Sequence, residues 1–271
     1  MKDSDFNAVV LDKREVAPGL YILRVAPEGW RLPAFRAGQF AVLGLPASAP
    51  RHPLSDPEDE PPREKPLIRR SYSIASSSRD SEFLEFYLTV VRSGSLTPRL
   101  AMLEAGERLW LGPRISGLFT FDGVPGDVNV VMMATGTGLA PYMSMLRTHL
   151  DADQPRRIAA LHGARHSWDL GYRSELIAME RAHPNFTYVA VVSRPDEEPV
   201  PWGGEVGRLQ DLWRRRVVGA RWGVELSPEN CHVMLCGNPE MIEEMIALLG
   251  GEGYREHRRE DPGQIHVEKY W

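Results

Sequence analysis

The chain has 271 residues, of which 42% are hydrophobic and 25% charged, with a formal net charge of -5 at pH 7. This composition is typical of a water-soluble globular protein with room for two domains, and the acidic balance argues against nucleic-acid binding. The two cysteines, Cys231 and Cys236, supply neither the four thiolates of an ordinary [2Fe-2S] cluster nor the ligand spacing of a Rieske centre, so any redox centre is expected to be an organic cofactor. A polar start and no apolar run of about 18 residues predict a cytoplasmic protein without a membrane-spanning segment.

The part of the chain before about residue 115 is predicted to be rich in β-strands. Short apolar or alternating runs are separated by Pro, Gly, Asp and Ser clusters, and one short helix is predicted over Thr97–Leu103. Many short strands without a long helical pattern indicate a barrel or a sandwich. The predicted strands are Phe6–Leu11, Leu20–Val25, Phe40–Leu45, Arg70–Ile74, Leu84–Val91 and Arg108–Leu111.

The segment Pro46–Pro66 interrupts this pattern. It contains seven prolines and the acidic run Asp56–Glu60. Such a composition buries little apolar surface, so the segment is predicted to be a mobile surface loop. A role in selecting a protein partner is the alternative interpretation.

After Asp122, strands and helices are predicted to alternate. Alternation of this kind produces a parallel sheet, whose ligands bind beyond the carboxyl ends of the strands. Asn238 is predicted to cap the last helix, with Gly250 just past its end. The predicted strands are Val128–Ala134, Ile158–Gly163, Thr187–Val192 and His232–Cys236, and the helices are Pro141–Leu150, Ser174–Ala182, Leu209–Arg216 and Pro239–Leu249.

Two segments of the β-rich part are candidates for cofactor binding. Alternation along a strand puts Arg70 and Tyr72 on one side and Ser71 and Ser73 on the other. A guanidinium can hold a diphosphate, a tyrosine ring can stack on a flavin, and a serine hydroxyl can hydrogen-bond a flavin nitrogen. Further on, the glycine turn Gly94–Thr97 precedes the short helix, where free N–H groups favour phosphate. An ordinary polar strand and a plain turn are the alternatives.

Three further patterns lie at predicted carboxyl ends of strands. The loop Ala134–Pro141 contains two glycines, Gly136 and Gly138, which allow the close approach of a dinucleotide. Arginines follow later strands, where they favour NADP over NAD by binding the adenosine phosphate. These arginines are Arg165, Arg194 and Arg208. Cys236 ends the last strand and is predicted to face the same crevice. Solvated arginines and a buried structural cysteine are the alternatives.

Together these segments resemble the bacterial ferredoxin–NADP⁺ reductases, which are also called flavodoxin reductases. The resemblance lies in RRSYSIASS, EFYLTVV, GSLTPRL, ATGTGLAPYMSML, HGAR, VVSRP, VMLCGNPEM and VEKYW, in the same order over nearly the whole chain. It implies an antiparallel β-barrel domain that binds FAD, in residues 1–118, followed by a Rossmann-like α/β domain with a parallel sheet that binds NADP(H), in residues 119–271. We also expect the protein to be a monomer.

The resemblance implies roles for individual residues. Arg70 would grip the FAD diphosphate, Tyr72 would stack on the flavin, and Ser73 would contact it near N5. Tyr270 would be the second stacking aromatic, and Trp271 would lie near the adenine. The implied FAD contacts are Arg70, Ser71, Tyr72, Ser73, Tyr87, Leu88, Thr89, Gly94, Ser95, Leu96, Thr97, Tyr270 and Trp271. The implied NADP(H) contacts are Thr135, Gly136, Thr137, Gly138, Arg165, Arg194, Arg208, Cys236 and Gly237. The implied catalytic residues are Tyr72, Ser73, Cys236 and Tyr270.

The implied activity is electron transfer between NADPH and ferredoxin or flavodoxin through FAD. It requires neither a metal ion nor an acid–base triad, and its physiological direction is left open, as is the choice of carrier. One alternative is an NAD(P)H-dependent reductase component of an oxygenase system whose iron–sulphur cluster lies on another subunit. The other is a flavin-binding sensor or assembly subunit without turnover.

Overall fold

The computed structural model describes residues 6–58, 67–151 and 155–269. The chain divides into two compact units. The first comprises Met1–Thr120 with Met143–Thr148, and the second comprises Phe121–Tyr142 with His149–Trp271. Within the described ranges, every helix is too short or too polar to span a bilayer. The assignment of FAD and NADP(H) to residues 1–118 and 119–271 stays a prediction.

The first unit contains a six-stranded sheet in the order β4-β3-β6-β1-β2-β5, with every neighbouring pair antiparallel. Its elements are β1 (Ala8–Ala17), β2 (Leu20–Pro27), β3 (Phe40–Leu45), β4 (Ile68–Ser73), β5 (Leu84–Thr89), the short helix α1 (Thr97–Leu100) and β6 (Arg108–Leu111). A bridge between Ile74 and Phe86 joins the chain just after β4 to the edge strand β5. The sheet therefore closes on itself, which confirms the predicted antiparallel barrel.

Alternate strand residues fill the interior of this barrel. On β5, Leu84, Phe86 and Leu88 belong to the buried core, and on β3 Ala41 and Leu43 do so. The spacing of two residues is the strand period, so one face of each strand points inward. Burial of each large apolar side chain contributes about 1.5–3 kcal/mol, which fixes the register of the strands.

The second unit contains a six-stranded sheet in the order β10-β9-β8-β7-β11-β12, and every neighbouring pair is parallel. Its strands are β7 (Asn129–Thr135), β8 (Ile158–Ala164), β9 (Phe186–Val192), β10 (Glu205–Val206), β11 (Cys231–Cys236) and β12 (Ile265–Glu268). The helices after α1 are α2 (Ala140–His149), α3 (Arg173–Ala182), α4 (Leu209–Arg214), α5 (Val217–Trp222) and α6 (Pro239–Gly250). This arrangement confirms the predicted Rossmann-like fold. The strand order reverses between β7 and β11, and ligands bind at such switch points.

The helical part after β10 differs from the prediction. The helix expected over Leu209–Arg216 ends at Arg214, and a separate helix, α5, begins at Val217. Arg216 lies between them with a φ of 55°, a left-handed conformation that breaks the helical path. The short strand β10 and the strand β12 were not predicted, because their pairing with β9 and β11 is invisible in their own composition.

The last helix, α6, begins as predicted. The Asn238 side chain accepts hydrogen bonds from the N–H groups of Glu240 and Met241 at 2.8 and 3.3 Å, which is an N-cap. Its end differs, because Gly250 still lies inside the helix.

Candidate cofactor sites

The predicted flavin motif lies on β4. Arg70 pairs with Leu43 across the sheet, and Tyr72 pairs with Ala41. Arg70 is exposed, whereas the ring of Tyr72 is half-buried and packs against the barrel core. Burial raises the pKa of the Tyr72 hydroxyl, and the Arg70 guanidinium opposes this shift. A neutral aromatic ring and a cation therefore lie near each other on this strand.

The other residues predicted along the flavin are divided between surface and core. Ser71 and Thr89 are exposed, whereas Ser73 and Tyr87 are buried. The side chain of Leu88 is 6% exposed and belongs to the barrel core. If Leu88 contacts a flavin, its main chain rather than its side chain makes the contact.

The Gly94–Thr97 segment forms a tight turn before α1. The Gly94 N–H donates to the Val91 carbonyl at 2.8 Å, and the Thr97 Oγ1 accepts from the Val91 N–H at 3.1 Å. A Cβ at Gly94 would lie 3.0 Å from the Val91 carbonyl oxygen, so this turn favours glycine. Leu96 is buried in the core, so it too has only its main chain to offer a phosphate.

A charged cluster beside this turn was not predicted. The Arg99 guanidinium, only 2% exposed, forms two hydrogen bonds with the Glu58 carboxylate at 3.0 and 2.8 Å, and Arg51 reaches the same carboxylate at 2.7 Å. Arg99 also donates to the Ser95 carbonyl at 2.6 Å. These contacts, first that with Arg99, lower the pKa of Glu58. The described part of the predicted mobile loop, Pro46–Glu58, is therefore anchored at Glu58, which is the counter-ion of the buried Arg99.

A second cluster fixes the chain that follows β4. The Glu85 carboxylate, 2% exposed, pairs with Arg24 at 2.8 Å and with Arg147 at 2.7 Å. Arg147 also donates to the Ala75 carbonyl at 2.8 Å. Because Ala75 lies two residues after Ser73, this cluster positions the end of the flavin motif. A glutamate inside the apolar run Leu84–Thr89 was the signal that sequence reasoning missed.

In the second unit, the glycine loop lies at the switch point of the parallel sheet. It follows β7 directly: Gly136–Leu139 forms a 3-10 turn, and α2 continues from Ala140. Gly136 has a φ of 53°, and no described heavy atom lies within 4 Å of the position that a Cβ would take. This glycine therefore keeps an open surface at the end of β7.

Gly138 lies against the end of β11. A Cβ there would lie 2.5 Å from the Cys236 carbonyl oxygen, so the glycine makes room for the end of β11, and its contact with a dinucleotide stays a prediction. On the same edge, the Asn238 N–H donates to the Thr135 Oγ1 at 2.7 Å. Thr135 and Gly237 therefore lie side by side, and their contacts with NADP(H) stay predictions. The thiol of Cys236 is fully buried, as expected for the alternative interpretation of a buried structural cysteine.

The predicted arginines share the carboxyl edge of three neighbouring strands. Arg165 follows β8, Arg194 follows β9 and Arg208 follows β10. All three side chains are exposed. The Arg194 N–H donates to the Arg165 carbonyl at 3.0 Å, which holds the chain after β9 against the chain after β8.

Two residues that sequence reasoning missed lie at this edge. His166 follows Arg165, and its Nε2 lies 2.7 Å from the Glu197 carboxylate, which also reaches Arg194 at 3.3 Å. Hydrogen bonding to Glu197 raises the pKa of His166. A histidine beside an arginine at a strand end was an available signal, whereas the position of Glu197 depends on the loop after β9.

Three comparisons with known proteins agree with this geometry. A family model described as the oxidoreductase NAD-binding domain matches residues 132–246. The flavodoxin/ferredoxin–NADP reductase of Escherichia coli (strain K12) is 33% identical over 239 residues, which cover 88% of each chain. The crystal structure of a ferredoxin NADP⁺ reductase from Neisseria gonorrhoeae with bound FAD and NADP has a TM-score of 0.79 and 26% identity, covering 97% of this chain and 98% of that one.

This chain belongs to the flavodoxin/ferredoxin–NADP reductase family. The predicted membership is therefore confirmed, and with it the class of oxidoreductases that act with FAD and NADP(H). For this reductase, the roles of individual residues stay predictions, including the catalytic roles of Tyr72, Ser73 and Cys236. Tyr270 and Trp271 lie outside the described residues.

Proposed function

We propose that this reductase transfers electrons between NADPH and a ferredoxin or flavodoxin, with FAD as the relay. The observation that carries the proposal is the row of Arg165, Arg194 and Arg208 after three adjacent parallel strands, in a chain whose barrel carries the Arg70–Tyr72 motif. Guanidinium groups at this edge suit the 2′-phosphate that distinguishes NADPH from NADH. We also propose that the protein is monomeric and cytoplasmic.

The residues of the barrel fit FAD. Arg70 offers an exposed guanidinium for the diphosphate, and Tyr72 offers a neutral ring on the same strand. The pair of buried Glu85 and half-buried Arg147 holds the chain just after Ser73, so these contacts are made by a fixed strand rather than by a free loop. Bound FAD would supply the chemistry of accepting a hydride and passing on single electrons.

The residues of the parallel sheet fit NADP(H). The open surface at Gly136 gives a dinucleotide access to the main chain at the switch point. Thr135 is fixed by the Asn238 N–H, and Gly237, with a φ of 126°, lies beside it. The arginines bind the adenosine end, which positions the nicotinamide end without any proton transfer by the protein.

The test uses the purified protein with its own cofactor. Mass spectrometry of the released cofactor should show FAD, and anaerobic NADPH should bleach the flavin absorption band. The reduced protein should then pass electrons to ferredoxin or flavodoxin. Release of FMN would contradict the FAD assignment, and a flavin that NADPH leaves oxidised would favour a sensor or assembly subunit. Transfer only to an oxygenase component would favour the oxygenase alternative.

A further inference from the structure

The cations at the edge of the parallel sheet already hold an anion that belongs to the protein. Glu197 ends the 3-10 turn Pro195–Glu197 after β9. One carboxylate oxygen lies 2.7 Å from the His166 Nε2, and the other lies 3.3 Å from the Arg194 Nη1. The Glu197 carboxylate therefore binds two cationic side chains at the edge where the 2′-phosphate of NADPH is expected.

His166 is prepared to carry charge at this place. Its Nδ1 lies 3.2 Å from the Asp169 carboxylate, and its ring stacks on Trp168 with the centroids 4.3 Å apart and the planes 8° from parallel. Hydrogen bonding to Glu197, then to Asp169, raises the pKa of His166, while His166 and Arg194 lower the pKa of Glu197. Both partners are thus favoured in their charged forms.

The neighbouring carboxylates, Glu198 and Asp169, make other contacts. Glu198 accepts hydrogen bonds from the Ser167 N–H and hydroxyl at 2.6 Å each, which ties the loop after β9 to the loop after β8. Asp169 holds the far nitrogen of His166. Glu197, 55% exposed, contacts the two cations from the solvent side, so it can leave them without opening the core.

We propose that Glu197 is a specificity-determining residue that holds His166 and Arg194 in the free protein and yields them to the 2′-phosphate of NADPH. This inference rests on the proposed function. A phosphate brings more negative charge and more acceptor oxygens than a carboxylate, so it competes for the same two cations. NADH has no group to displace Glu197. The carboxylate therefore lowers the affinity for the phosphorylated cofactor alone, and His166 joins the arginines as a phosphate ligand.

The test compares two probes that differ only in the 2′-phosphate. Adenosine 2′,5′-bisphosphate and adenosine 5′-monophosphate are titrated calorimetrically into the flavin-loaded wild type and into Glu197→Gln. Glutamine keeps the shape and one acceptor oxygen but removes the charge. We expect the dissociation constant for the bisphosphate to fall about fivefold, as for loss of one exposed ion pair, with no change for the monophosphate.

Asp196→Asn is the matched control. Asp196 lies on the same turn, loses the same charge in the variant, and makes no ion pair with the residues that the structure describes. We expect it to change the bisphosphate affinity less than about twofold, because salt screens charges without contact.

The outcomes separate the inference from the proposed function. If the wild type binds both probes equally, the NADP assignment is wrong. If the wild type prefers the bisphosphate but Glu197→Gln leaves its affinity unchanged or weakens it, Glu197 positions the cations or does nothing, and the inference is overturned. An equal gain in Asp196→Asn would also overturn it, because the effect would then be one of general charge.

Discussion

Each unit of this reductase holds a glutamate between two cations, and the two clusters differ in the exposure of the glutamate and of one arginine. Glu58 in the first unit pairs with Arg99, whose side chain is 2% exposed, and with Arg51. Glu197 in the second unit pairs with Arg194, which is 50% exposed, and with His166. A buried cation left without a partner is costly, whereas an exposed one is resolvated. The first carboxylate therefore belongs to the fold, and the second is free to be exchanged for a ligand.

The largest expected effect is a loss of folding stability when the Glu58–Arg99 pair of the first unit is broken. Glu58→Gln should lower the free energy of unfolding by about 3 kcal/mol, because Arg99 keeps its carbonyl contacts but loses its counter-ion. Urea unfolding followed by tryptophan fluorescence measures this change. Glu197→Gln serves as the control, with an expected change within about 0.5 kcal/mol. Equal losses in the two variants would show that exposure does not separate the two clusters.

The next largest effect is a loss of stability in acid, which we expect from the buried His162 and not from His166. Burial lowers the pKa of His162 to about 3, below the unfolded value of about 6.5, so the unfolded chain takes up the proton first. Stability is then full above about pH 6.5 and falls as the pH drops, by roughly 2 kcal/mol from His162 alone at pH 5. Unfolding at pH 7 and pH 5 measures this loss. His166→Gln should keep the acid loss, since the pKa of His166 is raised rather than lowered, whereas His162→Asn should reduce it.

Removal of one exposed cation should act on cofactor choice rather than on folding. Arg194→Ala should raise KM for NADPH about tenfold and leave KM for NADH nearly unchanged, because only NADPH carries the 2′-phosphate. Steady-state kinetics with an artificial electron acceptor gives both constants. Parallel increases for NADPH and NADH would mean that Arg194 does not contact the phosphate.

The sequence predicted those parts of the fold that depend on local pattern. Phe40–Leu45 and Arg108–Leu111 match β3 and β6 at both ends, because turn residues flank each apolar run. The two residues of β10 have no apolar pattern and are defined only by their pairing with Val191 and Val192.

In the candidate sites, too, the residues placed by local pattern were predicted, whereas contacts between residues distant in sequence were not. Arg165 and Arg194 were predicted because each lies within two residues of the end of a strand, so the sheet alone places them at one edge. The contacts of Glu58 with Arg99 and of Glu197 with His166 join residues 41 and 31 positions apart. Such pairs depend on the conformation of the loops that bring the two residues together, and amino-acid composition does not specify that conformation. The acidic run near Glu58 therefore predicted a mobile loop, although its carboxylate is the counter-ion of a buried arginine.

The most direct test of the account is anaerobic rapid mixing of the FAD-loaded wild type with NADPH or NADH while the flavin absorption is followed. The account predicts that NADPH bleaches the flavin in a single turnover and that NADH, at the same concentration below saturation, does so at least about tenfold more slowly, since it lacks the phosphate that the arginines bind. Equal rates for the two cofactors, or a flavin that neither of them bleaches, would contradict it.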